Sequence, residues 1–254
     1  MIPNWPDAPA NIGALATTRS GGYSPAPFDD GHGGGGLNLG LHCGDDAALV
    51  QRNRSLLQEA LPGRPAWISQ VHGIVVADAA STGADRPVLT ADASIATAPG
   101  VVCTVMTADC LPVLLADVDG KVVGAAHAGW RGLAAGVLSE TVKAMRAAGA
   151  GEITAWLGPA IGPAQFEVGP DVLDAFVAGA AGDVAQVRAA FRPVAGRDGK
   201  YLADMYALGR LYLARDGVTK VSGGTFCTVT DADRFFSYRR DHVTGRQASL
   251  VWIK

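Results

Sequence analysis

The sequence predicts an α/β (α+β) fold in which mixed β-sheets are flanked by helices. Strand-like and helix-like segments are mixed throughout the chain without strict alternation, which argues against a regular doubly wound sheet. Hydrophobic residues make up 48% of the 254 residues, which is enough for a sizeable core. The chain also lacks a clear linker and an internal repeat. We therefore expect a single domain over residues 1–254.

The strand-like segments are short runs of apolar or β-branched residues bounded by turn-forming residues. Turn signals occur at Asp119-Gly120 and in the Gly- and Pro-containing loop at 158–163. The predicted strands cover residues 65–77, 101–106, 112–116, 121–126, 152–157, 218–221, 225–229 and 248–253.

Four other segments have helical character. In the segment at 133–148, apolar residues recur at helical spacing, and Gly149 is placed to end the helix. These residues are Leu133, Val137, Leu138 and Val142. The acidic pair at 45–46 favours a helix start just before the segment at 52–60. The predicted helices cover residues 52–60, 133–148, 171–180 and 201–215.

Charge and composition exclude several functional classes. The net charge is -3 and the pI is about 5.9, so the chain lacks the basic stripe typical of nucleic-acid binding. No apolar run approaches the roughly 18 residues that a membrane span needs. The four cysteines form no CxxC pair. We expect a cytoplasmic protein with free thiols and a small-molecule substrate, present as a monomer or weak homodimer.

One low-complexity stretch, residues 29–36, contains four consecutive glycines. A phosphate-binding loop of the P-loop type would need a lysine followed by serine or threonine, and both are missing. We interpret this stretch as a mobile surface loop.

Three short segments carry the residues best suited to chemistry: QVHG at 70–73, TADCLP at 107–112 and HAGWRG at 127–132. They place His72, Cys110 and His127 at or near the ends of predicted strands, where neighbouring strands bring side chains together. Two imidazoles and one thiolate suit zinc, and a catalytic zinc keeps three protein ligands with a fourth position open. The spacing alone does not distinguish this site from structural histidines.

These motifs resemble the YfiH-type laccase-domain family, whose members are described as polyphenol oxidases or purine nucleoside phosphorylases. The resemblance extends through nearly the whole chain, and the HAGWRG segment is its most specific part. Other matching segments are NLGLH at 38–42, GDD at 44–46, ADA at 91–93, GPAIG at 158–162 and FFSYRR at 235–240.

The resemblance implies zinc held by His72, Cys110 and His127, with copper as a possible substitute. It also implies phosphorolysis of adenosine, inosine and methylthioadenosine, with adenosine deamination as a further activity. Bacterial members are linked to editing of peptidoglycan precursors as well. Two features depart from the family pattern. The glycine-rich stretch with His32 lengthens the loop before Asn38, and His242 stands where the family usually has a small residue.

Further residues are assigned roles within this hypothesis. Arg131, near a predicted helix start, and Arg19 are candidates for binding phosphate, because a guanidinium offers a planar fork of donors. Asp109 and Asp92 either transfer protons as catalytic groups or orient a ligand histidine.

Two residues of the N-terminal segment, Asn38 and His42, are expected to line the pocket for the substrate. For Asn38 the competing interpretation is a turn-capping residue. Trp130, next to Arg131, is interpreted as a packing residue rather than a platform for a base.

Three rival functions remain open. A copper-dependent polyphenol oxidase of the multicopper type needs more histidines than the five in this chain, although one bound copper could still oxidise phenols. A metal-free hydrolase would use Cys110 as nucleophile and His127 as base. A non-catalytic metal-binding module would bind zinc without turning over any nucleoside.

Overall fold

A computed structural model describes residues 1–83 and 88–254, and it confirms a mixed α/β architecture. The strands are β1 Ile12–Ala16, β2 Ser20–Ser24, β3 Pro65–Ala66, β4 Val76–Asp78, β5 Ala93–Ala96, β6 Val102–Thr107, β7 Leu111–Asp117, β8 Val123–Ala128, β9 Ile153–Leu157, β10 Glu167–Val168, β11 Phe191–Pro193, β12 Tyr201–Ala203, β13 Lys220–Gly223 and β14 Gln247–Ile253. The helices are α1 Ala47–Gln58, α2 Trp130–Ala135, α3 Val137–Ala147, α4 Pro170–Ala178, α5 Val184–Ala189, α6 Met205–Arg215 and α7 Tyr238–Asp241.

Most of these strands form two mixed sheets. One sheet has the order β1-β14-β6-β3 and is antiparallel except for the parallel pair β3 and β6. The other has the order β13-β9-β7-β8-β5-β4, with parallel pairs at its two edges and antiparallel pairs in its centre. A third, antiparallel sheet has the order β10-β12-β11.

The two larger sheets pack face to face, and alternation along each strand divides the core. In β7, Leu114 points toward the four-stranded sheet and lies in one core cluster with Val105 of β6 and Val251 of β14. Its neighbours Val113 and Leu115 point to the opposite face, where helices α3, α4 and α6 cover them. Since successive strand residues point to opposite faces, the fully buried β7 reads as a continuous apolar run.

Helix α1 covers the outer face of the four-stranded sheet. Leu57 of this helix packs in one cluster with Met106 of β6 and Leu250 of β14. The resulting order of layers is helix, sheet, sheet, helices, which leaves the strand ends at the edges of the sandwich as the accessible places for a site.

Two strand predictions are wrong. Residues 65–77 form strand only at their ends, because polar Gln70 and His72 form a loop between β3 and β4 and His72 has a positive φ of 63°. Residues 225–229 contain no strand, and Thr228 lies in a turn.

Helix predictions differ from the structure mainly at boundaries. The helix predicted over 133–148 is two helices, because Gly136 adopts a φ of 101° that an α-helix does not allow. The helix predicted over 52–60 begins at Ala47, and the Asp46 side chain caps it by accepting from the Ala48 amide. The helix predicted over 201–215 begins at Met205, since residues 201–203 form β12.

The glycine-rich stretch at 29–36 is a loop with an internal turn. Asp30 Oδ1 accepts hydrogen bonds from the His32 and Gly34 amides, both at 2.8 Å. These bonds lower the pKa of the Asp30 carboxyl. Gly36 forms isolated bridges with Ser20 and Ser24. The loop is therefore tied to β2 at its end.

Within the described ranges, no helix is both long and apolar enough to cross a membrane.

Replacement of Leu114 by alanine tests the packing between the sheets. This side chain is 0% exposed, so its truncation should lower the free energy of unfolding by about 3 kcal/mol through lost burial and a residual cavity. The measurement is urea denaturation. Leu41→Ala is the matched control, because Leu41 is 43% exposed and should cost less than about 1 kcal/mol. Equal losses in the two variants would contradict the assigned core.

Candidate metal centre

The three proposed metal ligands meet although they come from separate elements. His72 lies in the loop between β3 and β4, Cys110 immediately precedes β7, and His127 belongs to β8. One ligand atom from each lies within 4.8 Å of the others, and the Cys110 Sγ is 3.6 Å from His72 Nε2. His72 is exposed, Cys110 is half-buried and His127 is buried, so one side of the cluster is open to a ligand.

The pairing of β7 with β8 determines the position of two of these residues. Pro112 pairs with His127 and Leu111 with Ala128, so the same antiparallel register places Cys110 opposite Gly129. A Cβ on Gly129 would lie 2.5 Å from His72 Cδ2 and 3.1 Å from Cys110 Sγ. Only glycine at this position lets the three ligands approach each other.

Asp92 connects two of the ligand-bearing segments. Its Oδ1 is 2.9 Å from His127 Nδ1 and accepts from the His72 amide at 2.8 Å. Its Oδ2 accepts from the amides of Val71 at 3.2 Å and Gly73 at 2.7 Å. Because Nδ1 of His127 faces this carboxylate, Nε2 is the nitrogen left for a metal.

The electrostatics of the cluster favour a thiolate. Burial by itself would raise the pKa of Cys110, but the charge and hydrogen bonds of His127 and His72 outweigh it and bring the pKa down to about 6. Burial would lower the pKa of His127, yet the thiolate and Asp92 raise it. Burial opposes ionisation of Asp92 too, and its hydrogen bonds from His127 and the backbone lower its pKa overall. A thiolate beside two imidazoles matches the donor set of a three-ligand zinc site.

Two cavities flank the cluster and share Ala108, Cys110 and Tyr238. The Arg246 cavity, of about 360 Å³, is lined by His42, Gln70, His72, Met106, Thr107, Ala108, Cys110, His127, Tyr238 and Arg246. The Arg131 cavity, of about 260 Å³, is lined by Ala108, Asp109, Cys110, Trp130, Arg131, Ile161, Phe166, Met205, Tyr238 and Arg239. Cys110 therefore stands at the boundary of two compartments.

A larger cavity of about 410 Å³ lies elsewhere, near Tyr206 and Cys227. It contains none of the three ligands. We therefore place the functional site at the two cavities around Cys110, although cavities elsewhere among the described residues are larger.

The carboxylate of Asp109 is held by two contacts from distant parts of the chain. Its Oδ1 accepts from the Thr228 hydroxyl at 2.6 Å, and its Oδ2 accepts from the Arg239 amide at 2.6 Å. The backbone of Asp109 has a φ of 92°, and its carbonyl accepts from the Ile161 amide. These contacts fix the backbone immediately before Cys110.

The four proposed substrate-binding residues occupy different positions. His42 and Arg131 each line one cavity. Arg19 and Asn38 are buried and line neither of them. The Arg19 guanidinium donates to the carbonyls of Asp29 and Ala232.

Asn38 organises the chain around the Arg246 cavity. Its side-chain amide donates to Asp45 at 2.9 Å, and its Oδ1 accepts from the amides of Gly40 and Arg246. These bonds fix the position of the Arg246 backbone.

Five polar lining residues were missed as site residues: Gln70, Thr107, Tyr238, Arg239 and Arg246. The first four lie in the segments QVHG, TADCLP and FFSYRR, so a signal for them was present. No local pattern marks Arg246, which reaches its cavity only because β14 brings the C-terminal segment beside β6.

A mixed α/β sandwich with a His–Cys–His cluster between two cavities defines a candidate metalloenzyme. The sequence model of the family described as multi-copper polyphenol oxidoreductase laccase matches residues 13–254, and the chain belongs to that family.

Curated relatives cover the whole chain. A purine nucleoside phosphorylase of Pseudomonas aeruginosa is 53% identical over 254 residues, covering 100% of this chain and 98% of its own length. The purine nucleoside phosphorylase YfiH of Escherichia coli is 49% identical over 255 residues, with the same coverage of 100% and 98%.

Solved structures have the same fold. The protein NMB0706 of Neisseria meningitidis has a TM-score of 0.90 and 47% identity, covering 100% of this chain and 98% of its own. YlmD of Geobacillus stearothermophilus has a TM-score of 0.81 and 30% identity, covering 98% and 94%.

Replacement of Asp92 by asparagine tests the role of its carboxylate. An asparagine has one acceptor oxygen where Asp92 uses two, so the loop at 71–73 and the His127 ring should lose their fixed orientation. We expect zinc affinity to fall about 10- to 100-fold in competition with a chromophoric chelator. Asp119→Asn is the control, because the one ion pair of Asp119 with a described residue is to Lys121 on the surface. Unchanged affinity in Asp92→Asn would refute the role.

The pKa of the Cys110 thiol predicts its reactivity in metal-free protein. With a pKa of about 6, Cys110 is mostly thiolate at neutral pH, whereas an ordinary thiol with a pKa of about 8.5 is not. The iodoacetamide rate, followed by peptide mass spectrometry, should therefore rise to its plateau below pH 7, and zinc should protect the residue. Cys103 is the internal control, since burial raises its pKa to about 12. A Cys110 midpoint near pH 8.5 would contradict the expectation.

Proposed function

We propose that this protein is a zinc-dependent purine nucleoside phosphorylase that acts on adenosine, inosine and methylthioadenosine. The observation that carries the proposal is the position of Cys110, His72 and His127 at the boundary between two cavities. The names of the curated relatives support the same reaction. Zinc fits the donor set, and when bound it would act as a Lewis acid at its fourth position.

Phosphorolysis is a displacement at the anomeric carbon of the ribose. An oxygen of phosphate forms a bond to C1′ while the bond from C1′ to N9 breaks. The bond electrons leave with the purine, which takes up a proton, and the products are the free base and ribose 1-phosphate. The nucleophile and the leaving group lie on opposite sides of C1′, so a site for this reaction needs two compartments around the ribose.

The residues of this chain supply orientation and exclusion of water. His72, Cys110 and His127 would hold the metal, and the contacts of Asp92 favour an orienting role over proton transfer. Asp109 is likewise engaged at both oxygens, which supports a role in positioning Cys110. Tyr238, at the start of α7, forms a wall common to both cavities.

Adenosine deamination is included in the proposal as a second activity of the same centre. In that reaction water replaces the amino group at C6, and ammonia is released. Hydrolytic editing of peptidoglycan precursors and copper-dependent oxidation of phenols are the alternatives. The family description favours the oxidation, and the names of the curated relatives favour the phosphorylase.

The test combines metal analysis of the purified protein with a panel of purine nucleosides. We expect ribose 1-phosphate to be formed only when phosphate is present, and ammonia to be released from adenosine without it. His72→Ala should lose metal and activity together, with Asp119→Asn as the control. Activity retained in metal-free His72→Ala would favour Cys110 as a nucleophile. No product from any purine nucleoside would refute the proposal.

A further inference from the structure

The two cavities beside Cys110 differ in chemistry. The Arg131 cavity combines the apolar side chains of Trp130, Ile161, Phe166 and Met205 with the Asp109 carboxylate and two arginines. Its two arginines lie over aromatic rings: Arg131 is 4.3 Å from the Trp130 centroid, and Arg239 is 5.3 Å from that of Phe166. A flat aromatic base fits such walls, because rings and guanidinium planes offer stacking surfaces.

The Arg246 cavity presents an arginine together with several other hydrogen-bond donors. Its described lining contains His42, Gln70, Thr107 and Arg246 but no carboxylate. The Thr107 hydroxyl is buried and has no hydrogen-bond partner among the described residues. Arginine, imidazole, amide and hydroxyl groups all can donate hydrogen bonds to an oxyanion.

Arg246 is held in place without a counter-charge. Its amide donates to Asn38 Oδ1 at 2.9 Å, and its Nη1 donates to the carbonyls of Thr244 and Gly245, each at 3.0 Å. It forms no ion pair with any residue in the ranges 1–83 and 88–254. Arg131 and Arg239 also form none there, but their guanidinium groups lie over aromatic rings, and the Asp109 carboxylate lines the same cavity. Nε and Nη2 of Arg246 remain as donors for a ligand, because a guanidinium has five N–H groups.

A second arginine strengthens the positive potential. Arg54 is half-buried, lies 4.0 Å from the Trp67 ring centroid and also lacks an ion pair among the described residues. Burial lowers the pKa of His42, and the charges of Arg246 and Arg54 lower it further. Positive charges that are partly shielded from water and unpaired are stabilised by a bound anion.

We propose that the Arg246 cavity binds inorganic phosphate and that the Arg131 cavity binds the purine. Arg246, and not Arg131, is then the arginine that contacts phosphate, with His42 and Thr107 beside it. The inference rests on the proposed phosphorylase function. It accounts for the two-sided geometry, because the ribose would bridge the shared boundary at Cys110 and Tyr238 with phosphate on one side of C1′ and the base on the other.

The test uses zinc-loaded Arg246→Met and initial rates with phosphate and nucleoside varied in turn. Methionine keeps part of the aliphatic stem that packs near Gly40. We expect the KM for phosphate to rise at least about tenfold, since a charged hydrogen bond is lost, and the KM for nucleoside to stay within about twofold. Arg246→Lys should recover part of the loss. Arg131→Met should raise the KM for nucleoside and leave that for phosphate unchanged.

Arg192→Met, at an exposed position on β11, is the matched control, and zinc content and melting temperature are recorded for every variant. Calorimetric titration of inorganic phosphate into the zinc-loaded protein separates this inference from the proposed function. Phosphate binding that Arg246→Met abolishes supports the subsite even if no nucleoside is cleaved. Phosphorolysis whose phosphate KM responds to Arg131→Met instead of Arg246→Met refutes the subsite and leaves the function standing. Absence of both phosphate binding and phosphorolysis refutes both.

Discussion

The buried carboxylate of Asp92 is the contact on which the geometry of the candidate metal centre depends. It is 0% exposed and accepts from three consecutive amides at 71–73 while it faces the ring of His127. A buried carboxylate without such partners would be strongly destabilising, so the loop and the histidine stabilise the charge that orients them. His127 is tied twice, because its amide also donates to the Asp92 carbonyl at 2.7 Å.

The site lies where the chain passes from one sheet to the other. β6 ends at Thr107 in the four-stranded sheet, and β7 begins at Leu111 in the six-stranded sheet. The link between them carries Asp109 in a positive-φ conformation that its hydrogen bonds to Thr228 and Arg239 hold in place. Strain of this kind persists only where surrounding contacts determine it. Cys110 therefore reaches the cluster through a crossover and not through a regular element.

The elements that depend on local residue patterns were predicted well from the sequence. The buried strands β6, β7, β8, β9 and β14 were identified because each is a short apolar run between turn signals. The loop at 67–75 was misread as strand, because its apolar residues Ile74 and Val75 resemble a strand while the surrounding contacts, above all those of Asp92, impose a loop. The break at Gly136 was missed because Leu133, Val137 and Leu138 keep helical spacing across it.

The composition of the site was less accessible to sequence reasoning, because it depends on tertiary contacts. Arg19 and Asn38 belong to well-marked segments, yet their side chains are occupied with backbone carbonyls, amides and Asp45. Arg246 has no mark in the sequence and stands in a cavity because Asn38 and the pairing of β14 with β6 place it there. A residue's role at such a site follows from what already satisfies its donors and acceptors.

The family description and the names of the curated relatives point to different chemistry, and the donor set helps to decide between them. Multicopper oxidation passes electrons between several copper ions and needs many more histidine ligands than the five present here. His32 pairs with Asp233 at the surface, and His42 lies in the Arg246 cavity, so neither belongs to the three-residue cluster. Among the described residues, one His–Cys–His cluster with an open side lies between two cavities, which is better suited to orienting two substrates than to relaying electrons.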